Sequence, residues 1–187
     1  MITVATSALV LIDLQEGIVS MPVAPRTGRE VVANALRLAD RFRELGGLVV
    51  LVRVAFSPDG KDVLRPTTDN PPPSAQRAPN WGEFLPEVGP KEGDLVITKR
   101  QWSAFYGTEL DLQLRRRKIE SIVLAGISTN FGVESTGRQA YELGYSLVFV
   151  EDAMAGPSSE AHLLPFKYVF PRLGRIRSTD ETLADLE

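Results

Sequence analysis

The sequence predicts a three-layer α/β fold of the doubly wound, Rossmann-like kind, in which a six-stranded parallel sheet carries helices on both faces. Six short runs rich in apolar and β-branched residues alternate with amphipathic stretches along the whole chain. This alternation is typical of parallel sheets, and right-handed crossovers then place helices on both faces. The length of 187 residues suits one hydrophobic core, so a single domain over residues 1–187 is expected.

The strands are predicted from runs that are almost continuously apolar, as expected for a sheet covered on both faces. They span residues 8–13, 48–54, 94–99, 121–127, 146–152 and 174–178, the last with the weakest pattern. Helical spacing of Val32, Leu36 and Ala39, followed by the stop signal Gly46-Gly47, predicts the first covering helix. Later helices are predicted over residues 107–118, 130–143 and 158–171, with a short one after Thr179.

Residues 55–93 interrupt this alternation and carry eight prolines, with Trp81 among them. A connection of this length without regular structure is usually functional in a compact domain, which predicts a lid or a binding loop. A solvent-exposed excursion, or an interface with another copy of the chain, explains the same composition. Both interpretations stay open at this point.

The composition excludes several kinds of chemistry. There is no cysteine, which removes disulfides, cysteine-bound zinc, iron–sulfur clusters and a thiol nucleophile. His162 is the single histidine, so no metal is expected, and we interpret it as a core or surface residue. A net charge of −3 argues against nucleic-acid binding, and the lack of a long apolar run argues against a membrane-spanning segment. The glycine-rich nucleotide motifs are missing, which argues against nucleotide cofactors. We expect no cofactor and a cytoplasmic location.

Polar residues stand at the carboxyl ends of the predicted strands. Ligands of open parallel sheets bind there, near the point where the strand order reverses. The candidates are Asp13, Gln15, Arg53 and Lys99, with the turn GISTNFG at residues 126–132. If the strands that end at Asp13 and Lys99 are neighbours, the two side chains form either a reactive pair in a cleft or a structural salt bridge.

The turn at residues 126–132 also has two interpretations. Ser128, Thr129 and Asn130 are good helix caps, and the helix after them offers backbone N–H groups to an anionic substrate or a developing oxyanion. Alternatively, the three residues do no more than begin a helix.

Three sequence blocks occur in order along the chain: ALVLIDLQ, then VITKRQWSAFYGTELDLQLRRRKI, then IVLAGISTNFGVESTGRQAYELGY followed by VEDA. With these blocks the chain resembles the isochorismatase-like hydrolases, also called the cysteine hydrolase superfamily, over nearly its whole length. The resemblance implies a homodimer or higher homo-oligomer and catalysis by an aspartate, a lysine and a cysteine. By position the aspartate is Asp13, the lysine is Lys99 and the cysteine falls on Gly132. This chain is therefore expected to form a subgroup without the family's nucleophile.

Loss of the thiol excludes the thioester route of the family's amidases, and the metal ligands of its nicotinamidases are also missing. The resemblance instead implies metal-independent, non-covalent hydrolysis of a small anionic molecule, with the vinyl ether of isochorismate as one candidate. Asp13 would be the general acid, Lys99 would orient it and bind a carboxylate, and Arg53 would bind another. The other expected substrate-binding residues are Gln15, Trp81, Trp102, Phe105, Ile127, Ser128 and Thr129, and the Ile127–Ser128 peptide is expected to be cis.

One physical conflict and two alternative functions accompany this mechanism. Lys99 favours ionised Asp13, whereas a general acid must keep its proton near neutral pH, so desolvation has to oppose the lysine. The chain could instead be a family member that has lost catalysis and serves as a small-molecule-binding or oligomeric scaffold. An amidase that uses Ser128 or Thr129 is disfavoured because the sequence places no base beside either hydroxyl.

Overall fold

A computed structural model describes residues 1–71 and 77–187 of the chain. Six strands form one sheet in which every neighbouring pair is parallel, in the order β3-β2-β1-β4-β5-β6. The strands are β1 (Ser7–Ile12), β2 (Leu48–Val54), β3 (Leu95–Lys99), β4 (Ser121–Ile127), β5 (Ser146–Ala155) and β6 (Arg175–Arg177). The predicted six-stranded, doubly wound α/β fold is therefore confirmed.

Helices cover both faces of this sheet. They are α1 (Glu16–Val19), α2 (Gly28–Glu44), α3 (Leu110–Arg116), α4 (Glu134–Glu142), α5 (Ser159–Tyr168), α6 (Phe170–Leu173) and α7 (Thr179–Asp185), with a single π-helical turn at Thr129–Val133 before α4 and a short 3-10 helix at Val4–Thr6. Among the described residues none of these helices has the length and apolar character that crossing a bilayer requires.

The central strand divides the hydrophobic core into two layers. All six residues of β1 are buried, and they alternate between the layers as the pleat requires. Leu9 and Leu11 join the layer beneath α2, whereas Val10 and Ile12 join the layer beneath α3, α4 and α6. A strand buried on both sides has to be apolar at every position, which is why its sequence shows no polar alternation.

The helix α2 has clear start and stop signals in the sequence. Thr27 and Glu30 form a reciprocal capping box at its first turn. After Leu45, Gly46 adopts a φ of 71°, a left-handed conformation that glycine takes without a steric penalty. The apolar face of α2 packs on the sheet and contributes seven buried residues, from Gly28 to Phe42.

The order of the strands reverses between β1 and β4. From β1 the chain builds outward through β2 to β3, then returns to β4 on the other side of β1 and continues to β6. The crevice at the carboxyl ends of β1 and β4 is the place where doubly wound sheets bind ligands.

The two ends of the chain meet at the segment that precedes β1. Ile2 and Leu186 form a parallel bridge, in which the Ile2 N–H donates to Asp185 O at 2.7 Å and the Glu187 N–H donates to Ile2 O at 3.1 Å. The Val4 N–H also donates to Glu187 O at 2.9 Å. The terminal segments are therefore held together by main-chain hydrogen bonds.

Candidate active site

A buried ion pair lies at the point where the strand order reverses. Asp13 directly follows β1, and Lys99 is the last residue of β3. The Lys99 Nζ donates to Asp13 Oδ2 at 2.7 Å, and the two residues are only 2% and 5% exposed. Lys99 also donates to Gln101 O at 3.2 Å. The strands β1 and β3 are not neighbours, because β2 lies between them, so the long lysine side chain forms the pair by reaching across β2.

Burial has the larger effect on the protonation of Asp13. Desolvation raises the pKa of the Asp13 carboxyl from its usual 3.8 to about 6, although the charge and the hydrogen bond of Lys99 lower it. The carboxyl oxygen Oδ1 is buried and has no hydrogen-bond partner in the described part of the chain. Burial therefore brings the pKa of Asp13 close to neutral pH, and one of the two carboxyl oxygens keeps no hydrogen-bond partner among the described residues.

Gly132 lies directly beside this carboxyl. It belongs to the π-helical turn Thr129–Val133 that follows β4. A Cβ atom on residue 132 would lie 3.3 Å from Asp13 Oδ2 and 3.0 Å from Ile12 Cγ2. Any side chain at this position would thus point toward Asp13, and glycine leaves that space open.

The turn between β4 and α4 is tightly hydrogen bonded. Its Ile127–Ser128 peptide is cis, which confirms that expectation. The N–H groups of Phe131 and Val133 both donate to Ser128 O at 3.2 Å. These two N–H groups have a partner within the turn, so they are not free donors for a substrate.

A family model described as the isochorismatase domain matches residues 7–181. The chain belongs to the isochorismatase family. It is 50% identical over 183 residues to YwoC of Bacillus subtilis, an uncharacterized isochorismatase family protein, and the match covers 97% of this chain and 94% of YwoC.

Two further relatives bear on fold and chemistry. The structure of an isochorismatase family protein from Burkholderia thailandensis matches at a TM-score of 0.93 and 46% identity, over 96% of this chain and 95% of that one. RutB of Variovorax paradoxus, a ureidoacrylate amidohydrolase, is 32% identical over 180 residues, which cover 79% of this chain and 68% of RutB. The protein is a hydrolase of the isochorismatase family.

Trp102 and Phe105, two of the predicted substrate-binding residues of this isochorismatase-family hydrolase, have different surroundings. Trp102 is 62% exposed, packs against Phe131 with ring centroids 5.0 Å apart, and places its backbone oxygen 3.6 Å from the Cβ position of residue 132. The backbone of Trp102 therefore lies close to Gly132, while its exposed ring packs on Phe131. Phe105 lies instead in the core, with its ring centroid 5.9 Å from that of Tyr145.

Gln15 and Arg53 make structural contacts. The side-chain amide of Gln15 accepts from Val54 N at 2.8 Å and donates to Val54 O at 2.9 Å. It therefore bonds to both backbone groups of the last residue of β2, as the backbone of a neighbouring strand would. Arg53 Nε donates to Thr98 Oγ1 at 3.1 Å, and strand alternation places the pair on the face opposite to Lys99. The structure does not bring either side chain to the Asp13 carboxyl, and substrate binding by them stays a prediction.

The proline-rich segment borders the site at two places. Near its end, Trp81 and Glu83 accept hydrogen bonds from Gly17 and Glu16, and the indole of Trp81 occupies the space where a side chain on Gly17 would lie. Leu85 and Val88 belong to the core beneath α2. Near its beginning, Asp62 accepts from Arg100 Nε at 2.7 Å, beside Lys99. Of the eight prolines, Pro72 and Pro73 lie outside the described residues.

The sequence did not predict the contact between His162 and Thr129. Its Nδ1 lies 2.8 Å from the hydroxyl of Thr129, and both residues are completely buried. Burial, together with the charge of Arg26, lowers the pKa of the imidazole to about 4, so His162 is neutral. The expectation that no base stands beside Thr129 was therefore wrong. The two residues are separated by 33 positions, and no local pattern signals the contact.

Ser128 and Ile127 complete the predicted set. The Ser128 hydroxyl lies 3.5 Å from Asn130 Oδ1, and Ile127 is a core residue at the end of β4. In sum, the structure brings together Asp13, Lys99, Gly132 and Trp102, with the turn at residues 128–132 at their side.

Proposed function

We propose that this hydrolase acts on a small anionic molecule by a non-covalent mechanism that needs no bound metal, with Asp13 as general acid and Gly132 at the position of the family's cysteine. The observation that carries the proposal is a buried carboxyl with a pKa of about 6 beside a position that lacks a side chain. Such a group can donate a proton near neutral pH. Because residue 132 has no side chain, no protein atom of that residue beyond its backbone stands against Asp13 Oδ2.

The substrate that fits this chemistry is a vinyl ether such as isochorismate. Asp13 would donate its proton to the terminal methylene carbon, and water would then add to the carbon that bears the ether oxygen. The proton lost by that water returns to Asp13. The hemiketal that forms then breaks its bond to the ring oxygen while Asp13 gives that oxygen a proton and takes up the proton of the hemiketal hydroxyl, which yields pyruvate and a ring alcohol. Lys99, 2.7 Å from Oδ2, stabilises the carboxylate that remains after the first transfer.

Covalent catalysis has weaker support. The chain has no cysteine, and the Thr129 hydroxyl beside His162 is fully buried, where no substrate carbonyl can approach it. A neutral imidazole whose pKa lies near 4 is also a weak base. These points support the non-covalent route over an amidase that uses Thr129.

The test is the release of pyruvate from isochorismate, followed by coupling to lactate dehydrogenase. We expect turnover by the wild type and a loss of about 100-fold or more in Asp13→Asn, because the amide cannot supply the proton. The matched control is Asp180→Asn, which makes the same chemical change at an exposed position of α7 and should leave the rate unchanged.

Four results would contradict parts of this proposal. Folded wild type that releases no pyruvate would exclude isochorismate, and tight binding of small acids without turnover would favour the scaffold function. Full activity in Asp13→Asn would exclude Asp13 as the general acid.

The value of kcat/KM should also fall as pH rises above about 6, since the acid loses its proton there. A kcat/KM that does not change with pH in this range would be inconsistent with this role.

A further inference from the structure

The segment before α2 and the first turn of α5 bring Arg26 and His162 together. The backbone of Ala24 pairs with that of Gly156: the Ala24 N–H donates to Gly156 O at 2.8 Å, and the Gly156 N–H donates to Ala24 O at 2.9 Å. Gly156 lies against α5, because a Cβ atom on it would be 3.2 Å from His162 N. Arg26 follows this pairing by two residues. Burial, and after it the charge of Arg26, lowers the pKa of His162, so the two side chains share one region.

Each of these two side chains has a buried nitrogen without a hydrogen-bond partner among the described residues. The nitrogens are Nη1 of Arg26 and Nε2 of His162. His162 is completely buried, and its other ring nitrogen, Nδ1, lies 2.8 Å from the hydroxyl of Thr129. Buried polar groups of folded proteins are nearly always hydrogen bonded. Two such nitrogens in one region therefore point to a ligand.

The contact with Thr129 decides which nitrogen of His162 carries the proton. The imidazole is neutral, so it has one N–H donor and one acceptor nitrogen. The buried Thr129 hydroxyl has to donate its own proton, and Nδ1 is the acceptor that the described residues offer it. Nδ1 is then the acceptor, and Nε2 carries the hydrogen. Both unpartnered nitrogens are therefore donors, and one of them belongs to a permanent cation.

The acid Glu30, which responds to Arg26, is already used by another group. Hydrogen bonds from Thr27 lower the pKa of Glu30, and the charge of Arg26 contributes less. The exposed Glu30 carboxylate accepts from Thr27 N at 2.8 Å and from Thr27 Oγ1 at 2.7 Å, as part of the capping box of α2. A buried guanidinium nitrogen that no carboxylate meets is costly, and an anion at Nη1 removes that cost.

We propose that Arg26 Nη1 and His162 Nε2 together bind one small monovalent anion, chloride or an ion of similar size. The arginine supplies one positive charge and the neutral imidazole supplies a second donor, so a single negative charge balances the pair. The ion has to be small, because both nitrogens are buried. Through His162 and Thr129 the bound ion also stabilises the packing of α5 on the π-helical turn Thr129–Val133.

Nuclear magnetic resonance of the single histidine tests the proposal. With ¹⁵N-labelled histidine, the ring signals distinguish a proton on Nε2 from a proton on Nδ1, and the wild type near neutral pH should show the Nε2–H form. After dialysis against sodium gluconate, whose anion is too large for a buried site, the signals should shift saturably as chloride replaces gluconate at constant ionic strength. Urea unfolding in the same buffers should show that chloride stabilises the fold, as a ligand of the folded state does.

Substitutions of arginine locate the ion. Arg26→Gln removes the charge and should weaken the response of the ring signals to chloride about tenfold or more, whereas Arg26→Lys keeps the charge and should keep a weaker response. Arg29→Gln is the matched control. It makes the same chemical change three residues further on, at an exposed arginine that pairs with Glu87, and it should respond to chloride as the wild type does.

Three results would overturn the proposal. A proton on Nδ1 would make Nε2 an acceptor, which cannot bind an anion. Ring signals and unfolding midpoints that are equal in chloride and gluconate would show that the pair binds no such ion. A chloride response that Arg26→Gln leaves unchanged would place the ion elsewhere. None of these measurements involves Asp13, so they are independent of the proposed hydrolysis.

Discussion

Gly132 has no side chain at a position that lies directly beside the carboxyl of Asp13. A Cβ atom there would approach Asp13 Oδ2 to 3.3 Å and Ile12 Cγ2 to 3.0 Å. The φ of Gly132 does not lie in the left-handed region, so the backbone itself would accept another residue. The glycine therefore matters for the space it leaves beside Asp13.

We predict that Gly132→Ala folds but loses activity. The added methyl group must push Ile12 or Asp13 by a few tenths of an ångström, at a cost of about 1–3 kcal/mol in the free energy of unfolding. It also fills the space that the proposed water or substrate needs, so kcat/KM should fall by about tenfold or more. Chemical denaturation and steady-state kinetics measure the two effects.

Gly89→Ala is the control for this substitution, because a Cβ there would make only ordinary contacts, the nearest at 3.5 Å from Pro86 O. It should leave both stability and kcat/KM close to the wild type. Unchanged kcat/KM in Gly132→Ala would show that the space beside Asp13 is not used in the reaction.

Single residues were predictable where they break an apolar run. Asp13 and Lys99 could be selected because a charge at the end of a buried strand needs a partner or a ligand. The contact between His162 and Thr129 could not be predicted from the sequence, because it depends on how α5 packs against the turn after β4. The same holds for Gln15, whose partner Val54 is 39 positions away.

At the scale of the elements, Gln15 joins the loop after β1 to the end of β2. Its completely buried amide both accepts from and donates to the backbone of Val54. Two residues earlier, the N–H of Asp13 donates to Val52 O at 2.9 Å. The Asp13 carboxyl therefore belongs to a segment that is hydrogen bonded to β2 through the backbone of Asp13 and through the side chain of Gln15.

We predict that Gln15→Ala destabilises the protein by about 2–3 kcal/mol, because it leaves the N–H and C=O of Val54 without partners. Urea unfolding measures this loss. Gln113→Ala is the matched control on α3, where the amide bonds to the exposed Arg117, and it should change stability by about 0.5 kcal/mol or less. An equal, small effect of both variants would contradict the structural role of Gln15.

The elements themselves were predictable from periodicity, with instructive differences. The strands β2 and β4 have the predicted bounds, whereas β5 continues three residues further, to Ala155. The helix predicted over residues 158–171 is two helices, α5 and α6, which meet at Val169; Pro171 in the first turn of α6 favours a new start there. In the proline-rich segment, Leu85 and Val88 join the core, which no sequence period indicates in so short a stretch.

At the scale of the whole molecule, the parallel sheet followed from the alternation of strands and helices, but the order of its strands did not. Apolar runs show that a strand is buried, and they do not show which strand lies beside it. The order matters here, because it places β2 between Asp13 and Lys99. Only the length of the lysine side chain makes the pair possible.

Asp13 and His162 are buried titratable groups that should change the free energy of unfolding in opposite directions as pH rises. Asp13 has a higher pKa in the folded chain, about 6 against 3.8, so its contribution to stability is present at low pH and is lost as pH rises through 6. His162 has a lower pKa, about 4 against 6.5, so its contribution is present above pH 6.5 and is lost as pH falls through 4.

We therefore predict opposite slopes for two variants between about pH 4 and 6.5. Relative to the wild type, Asp13→Asn should gain up to about 3 kcal/mol of stability as pH rises, and His162→Asn should lose up to about 3 kcal/mol. Urea unfolding at several pH values measures both differences. Parallel curves for the wild type and either variant would mean that the group concerned has no shifted pKa.

The bridge between Ile2 and Leu186 has a mechanical consequence. Because the two terminal segments run in the same direction, a force that draws Met1 and Glu187 apart acts along the bridge. Its hydrogen bonds are then sheared together and cannot open one after another. In a single-molecule stretching experiment, the first resistance would come from these terminal bonds, before any tension reaches β1 or the buried carboxyl that follows it.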